Sequence, residues 1–274
     1  MTTHAGPRTE GEEPSFPDVS ALTARTIDIV GSRNWRVRIE PLYGPEGSTV
    51  YALLTRDDRT EVREIVAAAR RLPGPILELA AGAGRLTLPL LALGRRVTAV
   101  DSSPTMLDLL ERSVGTRPAG RLTAVRADMT EIVERGAFGT IVLGATSITL
   151  LDPDGRQALY GAVAAEAAPE ARFLVTVAED GAPAREDPSA GRTTGPVLSS
   201  EIRGDRRLVN ILVPPRTDGA AATVLTSSVM LLDLRTLTTE LAARGFDLAD
   251  EAAVRRRSGA PSGVVLLECA CPPR

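Results

Sequence analysis

The sequence predicts an α/β fold in which a doubly wound, mainly parallel sheet carries helices on both faces. Short apolar runs typical of buried strands alternate with amphipathic segments from residue 73 to residue 180. The spacing leaves room for a crossover helix between successive strands, which a parallel sheet requires. The turn sequence Pro73-Gly74-Pro75 marks where this regular part begins.

Each element of this core follows from its local pattern. The strands are short runs rich in Val, Ile and Leu, at residues 76–79, 96–100, 122–126, 140–143 and 172–177. Helices are predicted between them at residues 85–93, 105–113 and 155–168. Ser103 can cap the second of these helices, and Pro104 suits its first position.

The sequence divides into five parts, of which the core is the third. We expect a disordered tail, an N-terminal helical lid, the α/β core, an insertion that roofs the site, and a final helix with strands that complete the sheet, at residues 1–18, 19–72, 73–180, 181–232 and 233–274. The tail is polar and rich in Gly, Pro and Glu, a composition typical of disorder.

The flanking parts contain weaker patterns. The lid is predicted to hold a helix, a short strand, a turn-rich stretch and a helix capped by Thr60, at residues 19–30, 36–40, 41–47 and 60–72. In the insertion, the runs at 207–213 and 222–232 predict an antiparallel hairpin. The last part reads as a helix ended by Gly245 and two strands, at residues 234–244, 246–254 and 263–270.

The ionisable residues exclude several mechanisms. The chain has 274 residues and a formal net charge of −3; its 32 cationic side chains are all Arg, and its one histidine is His4 in the polar tail. Without Lys there is no Schiff-base chemistry and no P-loop of the Gly-Lys-Ser/Thr type. Without a histidine in the fold there is no Ser-His-Asp or Cys-His site. The mild acidity argues against nucleic-acid binding.

The cysteines and the apolar runs exclude further classes. Cys269 and Cys271 lie two apart in an apolar stretch, which favours small buried residues over a redox or metal site, so we expect no metal. Residues 1–15 lack the pattern of a signal peptide. The longest apolar run, around residues 86–93, is far shorter than the ~20 residues that span a bilayer. We therefore expect a cytoplasmic protein with no membrane partner.

The residues that carry chemistry follow the first three strands, where an open parallel sheet binds its ligands. The stretch ELAAGAG (78–84) has small residues that let a ligand approach the backbone beside the free N–H groups of a helix. Asp101 ends the second strand, where a carboxylate either suits the hydroxyls of a ribose or caps the loop and helix that follow. Asp128 follows the third strand and either reads the amino edge of adenine or caps its own loop.

These stretches resemble the class I S-adenosylmethionine-dependent methyltransferases over residues 75–179, in ILELAAGAGRLTLPL, VTAVDSSPTMLDLL and AVRADM. The resemblance implies a Rossmann-like fold, S-adenosyl-L-methionine as cofactor and S-adenosyl-L-homocysteine as product. It also implies cofactor contacts around the methionine part, at the ribose and beside the adenine, from Glu78, Ala80, Gly82, Gly84, Asp101, Ser102, Met106, Asp128 and Met129. Ala80 departs from the family, which usually has Gly there. Met106 is equally compatible with a core position.

The main rival is a nicotinamide-dependent Rossmann dehydrogenase. Thr87 stands where the third glycine of GxGxxG belongs, and Glu78 would repel a pyrophosphate. A short-chain dehydrogenase also needs a Tyr-x-x-x-Lys pair, whereas Tyr160 is followed four residues later by Ala164. These departures favour the methyltransferase. A cofactor-binding scaffold without turnover is the non-enzyme alternative.

Methyl transfer from a sulfonium requires mainly alignment and exclusion of water. Because no imidazole is at hand, we expect an amine nitrogen as acceptor, with O-methylation of a small metabolite as the alternative. The candidate catalytic residues are Tyr43, Tyr51, Thr146 and Glu179, and Trp35, Ser147 and Asp180 are further substrate-facing candidates.

The expected partners are a small-molecule or peptide substrate and a second copy of the chain in a homodimer. The layout and the stretch SRNWRVRIEPLYGPEG (32–47) also resemble natural-product methyltransferases, including the daptide-type group of ribosomal-peptide (RiPP) enzymes. That resemblance implies a peptide terminus as the methyl acceptor.

Overall fold

A computed structural model describes residues 19–115, 120–131, 137–179, 195–217, 219–256 and 258–273. The predicted tail, with His4, and nearly all of the stretch from 181 to 195 lie outside these residues, as does Asp180.

The described residues form eleven strands and seven α-helices. The strands are β1 (Val37–Pro41), β2 (Ile76–Leu79), β3 (Val97–Asp101), β4 (Leu122–Arg126), β5 (Phe138–Leu143), β6 (Ala167–Ala178), β7 (Val197–Arg203), β8 (Arg206–Val213), β9 (Ala222–Met230), β10 (Asp247–Arg255) and β11 (Pro261–Ala270). The helices are α1 (Ala24–Ser32), α2 (Pro45–Thr55), α3 (Val62–Arg71), α4 (Thr87–Leu91), α5 (Pro104–Val114), α6 (Pro153–Glu166) and α7 (Leu234–Ala243).

A seven-stranded sheet forms the centre of the molecule, in the order β10-β11-β6-β5-β2-β3-β4. The five strands from β6 to β4 are parallel, and β11 and β10 continue the sheet as antiparallel strands. The predicted α/β class is confirmed by this arrangement. Chain order reverses between β5 and β2, so a crevice opens at their carboxyl ends.

Two apolar layers cover the faces of this sheet. One layer includes α6 and α7, with Leu159, Tyr160 and Leu237 fully or almost fully buried. The other includes α3, α4 and α5, with Ile65, Leu90 and Leu110 fully buried. Because both faces are covered, every residue of β2 and of β5 is buried.

A second sheet of four strands lies beside the first, in the order β1-β9-β8-β7. Strands β8 and β9 pair antiparallel where the sequence predicts a hairpin, and β7 joins them as a strand that the sequence pattern does not indicate. Strand β1 comes from the predicted lid and pairs parallel with β9, from Val37 opposite Ala222 to Pro41 opposite Thr226. Lid and insertion therefore share one sheet.

The N-terminal segment differs from its predicted form in two places. The stretch 41–47 was expected to be turns, but α2 begins within it because Pro45 occupies the first helical position after Gly44. The helix predicted from Thr60 begins at Val62, and Glu61 rather than Thr60 takes the capping position. Helix α3 packs on the large sheet with the core, not with the lid strand.

No helix of the described residues is long and apolar enough to cross a membrane.

Candidate functional site

The candidate site lies at the carboxyl edge of the large sheet, where the turns after β2, β3 and β5 come together. The turn after β2 is unusual in its backbone. Ala80, Gly82 and Gly84 all have positive φ, at +51°, +56° and +91°. Such angles strain an L-residue, so Ala80 adopts at some cost the conformation that glycine takes freely.

The two glycines of this turn serve different purposes. A Cβ on Gly84 would lie 2.4 Å from Leu110 Cδ1, so this glycine lets the turn pack against α5. A Cβ on Gly82 would meet no atom within 4 Å. Gly82 therefore borders open space, and the turn offers a cradle that a side chain would partly fill.

Asp101 connects the turns after β2 and β3. Its Oδ2 accepts a hydrogen bond from the Gly82 N–H at 2.7 Å, and its Oδ1 accepts one from the Ser103 N–H at 2.8 Å. Burial raises the pKa of Asp101, and the two N–H donors oppose that rise. Each carboxylate oxygen can accept a further hydrogen bond, so Asp101 can still receive a pair of hydroxyl donors.

Ser103 joins this region to the N-terminal segment. It caps α5 by accepting from the Met106 N–H, and its Oγ lies 3.2 Å from the Oγ of Ser48 on α2. Ser48 is fully buried and donates to the Tyr43 carbonyl at 3.0 Å. Hydrogen bonds thus run from α2 through the start of α5 to Asp101.

Glu78 is the most unusual ionisable group at this edge. Only 2% of the residue is exposed, and its Oε2 has no hydrogen-bond partner among the described residues. Burial raises the pKa of Glu78 to about 8; nearby Thr87 and Arg85 oppose the rise, and Asp101 adds to it. A buried carboxyl with an unsatisfied oxygen is costly unless a ligand completes it.

The remaining predicted cofactor residues surround the same edge. Asp128 is exposed, and its Oδ1 accepts from the N–H and the hydroxyl of Thr130, so it caps its own turn with one oxygen. Met106 is 3% exposed in the first turn of α5, whereas Met129 is half-buried against the core. Ser102 is exposed beside Asp101.

Two tyrosines cover the edge from the lid side. The rings of Tyr43 and Tyr51 meet edge to face, with centroids 5.4 Å apart and planes at 76°. Burial of its hydroxyl is the largest cause that raises the pKa of Tyr43; Tyr51 and Asp101 add to the rise, and Ser227 on β9 opposes it. Tyr43 is therefore close to both Asp101 and strand β9 of the second sheet.

Of the other substrate-facing candidates, Thr146 and Glu179 follow the paired strands β5 and β6, whereas Trp35 lies in the second sheet. Thr146 follows β5 and has a left-handed backbone (φ +54°), and its N–H donates to Thr176 Oγ1 at 3.1 Å. Glu179 is exposed after β6, and its N–H donates to the Gly263 carbonyl at 2.8 Å. Trp35 packs in the small core of the second sheet under Arg33.

Sequence reasoning missed the ion pair between Glu61 and Arg85. The Glu61 side chain is 2% exposed, and the Arg85 side chain is 16% exposed. Sequence patterns place both residues in the first turns of helices, positions where charged side chains usually face solvent, so no local signal marks them as buried.

The chain matches known proteins over much of its length. A family model described as a methyltransferase domain matches residues 76–170. A search of curated proteins found no match. Among solved structures, the glycopeptide N-methyltransferase MtfA complexed with sinefungin is similar at 28% identity and a TM-score of 0.66, over 92% of this chain and 98% of that one. The same enzyme complexed with S-adenosyl-L-methionine gives 26% identity and a TM-score of 0.63, with 92% and 98% covered.

A more distant structure shares the fold. The CcbJ methyltransferase from Streptomyces caelestis is 17% identical, with a TM-score of 0.65 over 85% of this chain and 99% of that one. The family match begins at β2 and ends within β6, so it contains the glycine turn, Asp101 and the reversal of strand order. The chain is thus a class I S-adenosylmethionine-dependent methyltransferase, an enzyme whose cofactor is S-adenosyl-L-methionine.

Proposed function

We propose that this enzyme methylates an amine nitrogen of a small natural product or of a peptide terminus. The observation that carries the proposal is the proton chemistry of the site. Besides the Arg85 guanidinium its ionisable groups are carboxyls and phenols, and the sequence has no Lys and no His apart from His4. A tyrosine hydroxyl is protonated at neutral pH, and burial together with Tyr51 raises the pKa of Tyr43 further, so Tyr43 does not act as a general base there.

An amine suits such a site better than an alcohol or a phenol. A neutral amine already carries the lone pair that attacks, and it needs only to lose the proton of its ammonium form. An alcohol requires a stronger base or a metal to become an equally good nucleophile. The similarity to an enzyme described as a glycopeptide N-methyltransferase supports the same acceptor chemistry.

The residues at the sheet edge fit the cofactor. Glu78 offers an unsatisfied carboxyl for its ammonium group, the open cradle at Gly82 leaves room beside the backbone, and Asp101 can accept from its ribose hydroxyls. We assign Asp128 to the adenine amino group and Met106 or Met129 to the adenine faces. When bound, S-adenosylmethionine supplies a methyl group activated by its sulfonium.

The chain's own residues must bind the acceptor, orient it and exclude water. We assign Tyr43 and Tyr51 to the acceptor end. Their ring faces attract a cationic amine, and their hydroxyls can hold its N–H or lone pair in line. Thr146, in the turn after β5, donates its hydroxyl to the Ala145 carbonyl and can still accept from a substrate N–H, while the exposed Glu179 can attract a cationic substrate.

The test is a transfer assay with a cofactor that carries a deuterated methyl group. Free-amine peptides and small amines form one acceptor set, and phenols and alcohols of similar size form the other. We expect mass spectrometry to detect labelled methyl groups on nitrogen, at rates that rise with pH as the amine loses its proton. Transfer to oxygen acceptors alone would contradict the proposal.

A further inference from the structure

Glu61 has a conformation that its place in the sequence does not explain. The residue precedes α3, is only 1% exposed, and has φ +59°, a left-handed backbone that residues other than Gly, Asn and Asp seldom adopt. Its side chain makes no capping hydrogen bond to its own helix. The carboxylate turns inward, toward the carboxyl edge of the large sheet.

One oxygen of this carboxylate links the two turns on either side of the crevice. Glu61 Oε1 accepts from the Arg85 guanidinium and, at 2.6 Å, from the N–H of Ala145. Arg85 follows the glycine turn after β2, and Ala145 lies in the turn after β5. Arg85 also donates to the Thr60 carbonyl at 2.7 Å, which fixes the guanidinium from a second side.

The backbone around this carboxylate is adapted to it. A Cβ on Gly144 would lie 3.2 Å from Glu61 Oε1 and 2.3 Å from Leu86 Cδ1, so a side chain there would force the Leu86 and Glu61 side chains to shift. Six non-glycine residues of the described chain have positive φ, and four of them are at these turns: Glu61, Ala80, Ala145 and Thr146. Strained backbone persists where its surroundings hold it, and it concentrates at functional sites.

Glu61 also determines which carboxylate the Arg85 guanidinium pairs with. Arg85 is close enough to Glu78 to lower the pKa of that carboxyl. A buried cation that loses its partner seeks another, because an unpaired buried charge is costly. As long as Glu61 holds Arg85, the Oε2 of Glu78 stays without a protein partner.

We propose that Glu61 is a positioning residue for the cofactor site. Through Arg85 and the Ala145 N–H it sets the spacing between the turns after β2 and β5, and it keeps Arg85 from pairing with Glu78. Glu61 acts on the cofactor site through these two groups and does not itself contact the cofactor. The inference rests on the proposed placement of the cofactor at Glu78 and Gly82.

The chain offers a matched control for this ion pair. Arg156 on α6 and Glu240 on α7 form a pair of the same kind, with hydrogen bonds of 2.8 and 2.6 Å and the Arg156 side chain 5% exposed. It lies in the other apolar layer, away from the turns of the crevice. Loss of either carboxylate removes a buried salt bridge, but only Glu61 holds the turns.

Calorimetric titration with S-adenosyl-L-homocysteine compares Glu61→Gln with Glu240→Gln, below the melting temperature of both. We expect Glu61→Gln to raise the Kd at least about tenfold, and Glu240→Gln to leave it within about twofold, although both lower Tm. Hydrogen exchange of the peptide that contains Ala145 should accelerate only in Glu61→Gln. An unchanged Kd in Glu61→Gln, or an equal loss in both variants, would overturn the positioning role.

A double variant covers the case in which Glu61→Gln does not fold. Glu61→Gln with Arg85→Met replaces the pair by neutral groups of similar volume, a change that folded proteins often tolerate. We expect a folded protein whose Kd is still raised about tenfold, and a Kd equal to that of the wild type would refute the proposal. Gly82→Ala distinguishes failure of the proposed cofactor placement from failure of the positioning role of Glu61. If Gly82→Ala does not weaken binding, the cofactor placement is wrong, and the positioning role fails with it.

Discussion

At the scale of single residues, Ala80 shows how a departure from the family is accommodated. Its φ of +51° costs an L-residue about 1 kcal/mol or more, which glycine would not incur. Ala81 is the natural comparison, because it is 6% exposed and outside the left-handed region.

We expect Ala80→Gly to stabilise the protein by about 0.5 to 1 kcal/mol, since the relief of strain exceeds the entropy that glycine gains when unfolded. Ala81→Gly should destabilise it by about 1 to 2 kcal/mol, because a buried methyl group is lost and no strain is relieved. Urea denaturation measures both. Equal losses in the two variants would show that the turn does not strain Ala80.

The raised pKa of Glu78 predicts that cofactor binding is linked to proton release. With its pKa near 8, the carboxyl of the cofactor-free protein is mostly protonated at pH 7, and an ammonium ligand favours the ionised form. Calorimetry in buffers of different ionisation enthalpy should detect the release of roughly 0.5 to 1 proton per S-adenosylhomocysteine bound at pH 7. Affinity should rise with pH and level off above about 8.

The same carboxyl affects stability without ligand. The pKa of Glu78 is about 8 in the folded protein and 4.5 in the unfolded chain. Its contribution to the free energy of unfolding is therefore full below pH 4.5 and is lost as the pH rises from 4.5 to about 8. Glu78→Gln serves as the control, because an amide cannot titrate. Proton release that persists in Glu78→Gln, or that is absent from the wild type, would contradict the assignment.

The sequence predicts the candidate residues whose position follows from a strand end, and misses those whose position depends on distant segments. Glu78, Gly82 and Asp101 lie where a βαβ pattern puts them. Glu61 and Arg85 form their pair through a contact between α3 and the turn after β2, which no local pattern encodes.

At the scale of elements, a buried polar cluster fastens the N-terminal segment to the second sheet. Asn210 on β8 is fully buried; its Oδ1 accepts from the Thr23 N–H at 2.7 Å and its Nδ2 donates to the Ala21 carbonyl at 2.9 Å. Ser199 on β7 lies within hydrogen-bonding distance of the Thr23 and Thr26 hydroxyls. The segment before α1 is thus held by side chains rather than by strand pairing.

Asn210→Ala leaves one donor and one acceptor unsatisfied, so we expect a loss of about 2 to 4 kcal/mol in the free energy of unfolding. Gln157→Ala removes an amide that accepts from Arg244 at the surface, and it should cost less than about 0.5 kcal/mol. Chemical denaturation measures both. A loss in Asn210→Ala no larger than in Gln157→Ala would show that the cluster contributes little.

The core elements could be predicted because strand runs and helical faces repeat over residues 73–180. Helix α2 could not, since Pro41, Gly44 and Pro45 read as turn residues although Pro45 opens a helix. Strand β7 follows residues rich in Gly and charge and carries a mixed pattern, VLSSEIR, with no clear alternation.

At the scale of the whole molecule, two sheets meet around the crevice. The large sheet supplies the cofactor turns, and β9 of the small sheet brings Ser227 to Tyr43, which in turn lies near Asp101. Strand β1 pairs with a strand more than 180 residues later, a contact that periodicity cannot predict. The fold class could therefore be predicted from the sequence, whereas the pairing of the lid strand β1 with the second sheet could not.

The central claim, that the cofactor lies against the turn after β2, is tested most directly by Gly82→Ala with Gly204→Ala as control. Both glycines have left-handed φ, +56° and +61°, and an added Cβ meets no atom within 4 Å at either one, so the backbone strain is matched. Gly204 lies in the turn between β7 and β8. Calorimetry should show S-adenosylhomocysteine binding weakened more than about tenfold in Gly82→Ala, because the methyl group fills ligand space, and unchanged in Gly204→Ala. Wild-type affinity in Gly82→Ala would contradict the account.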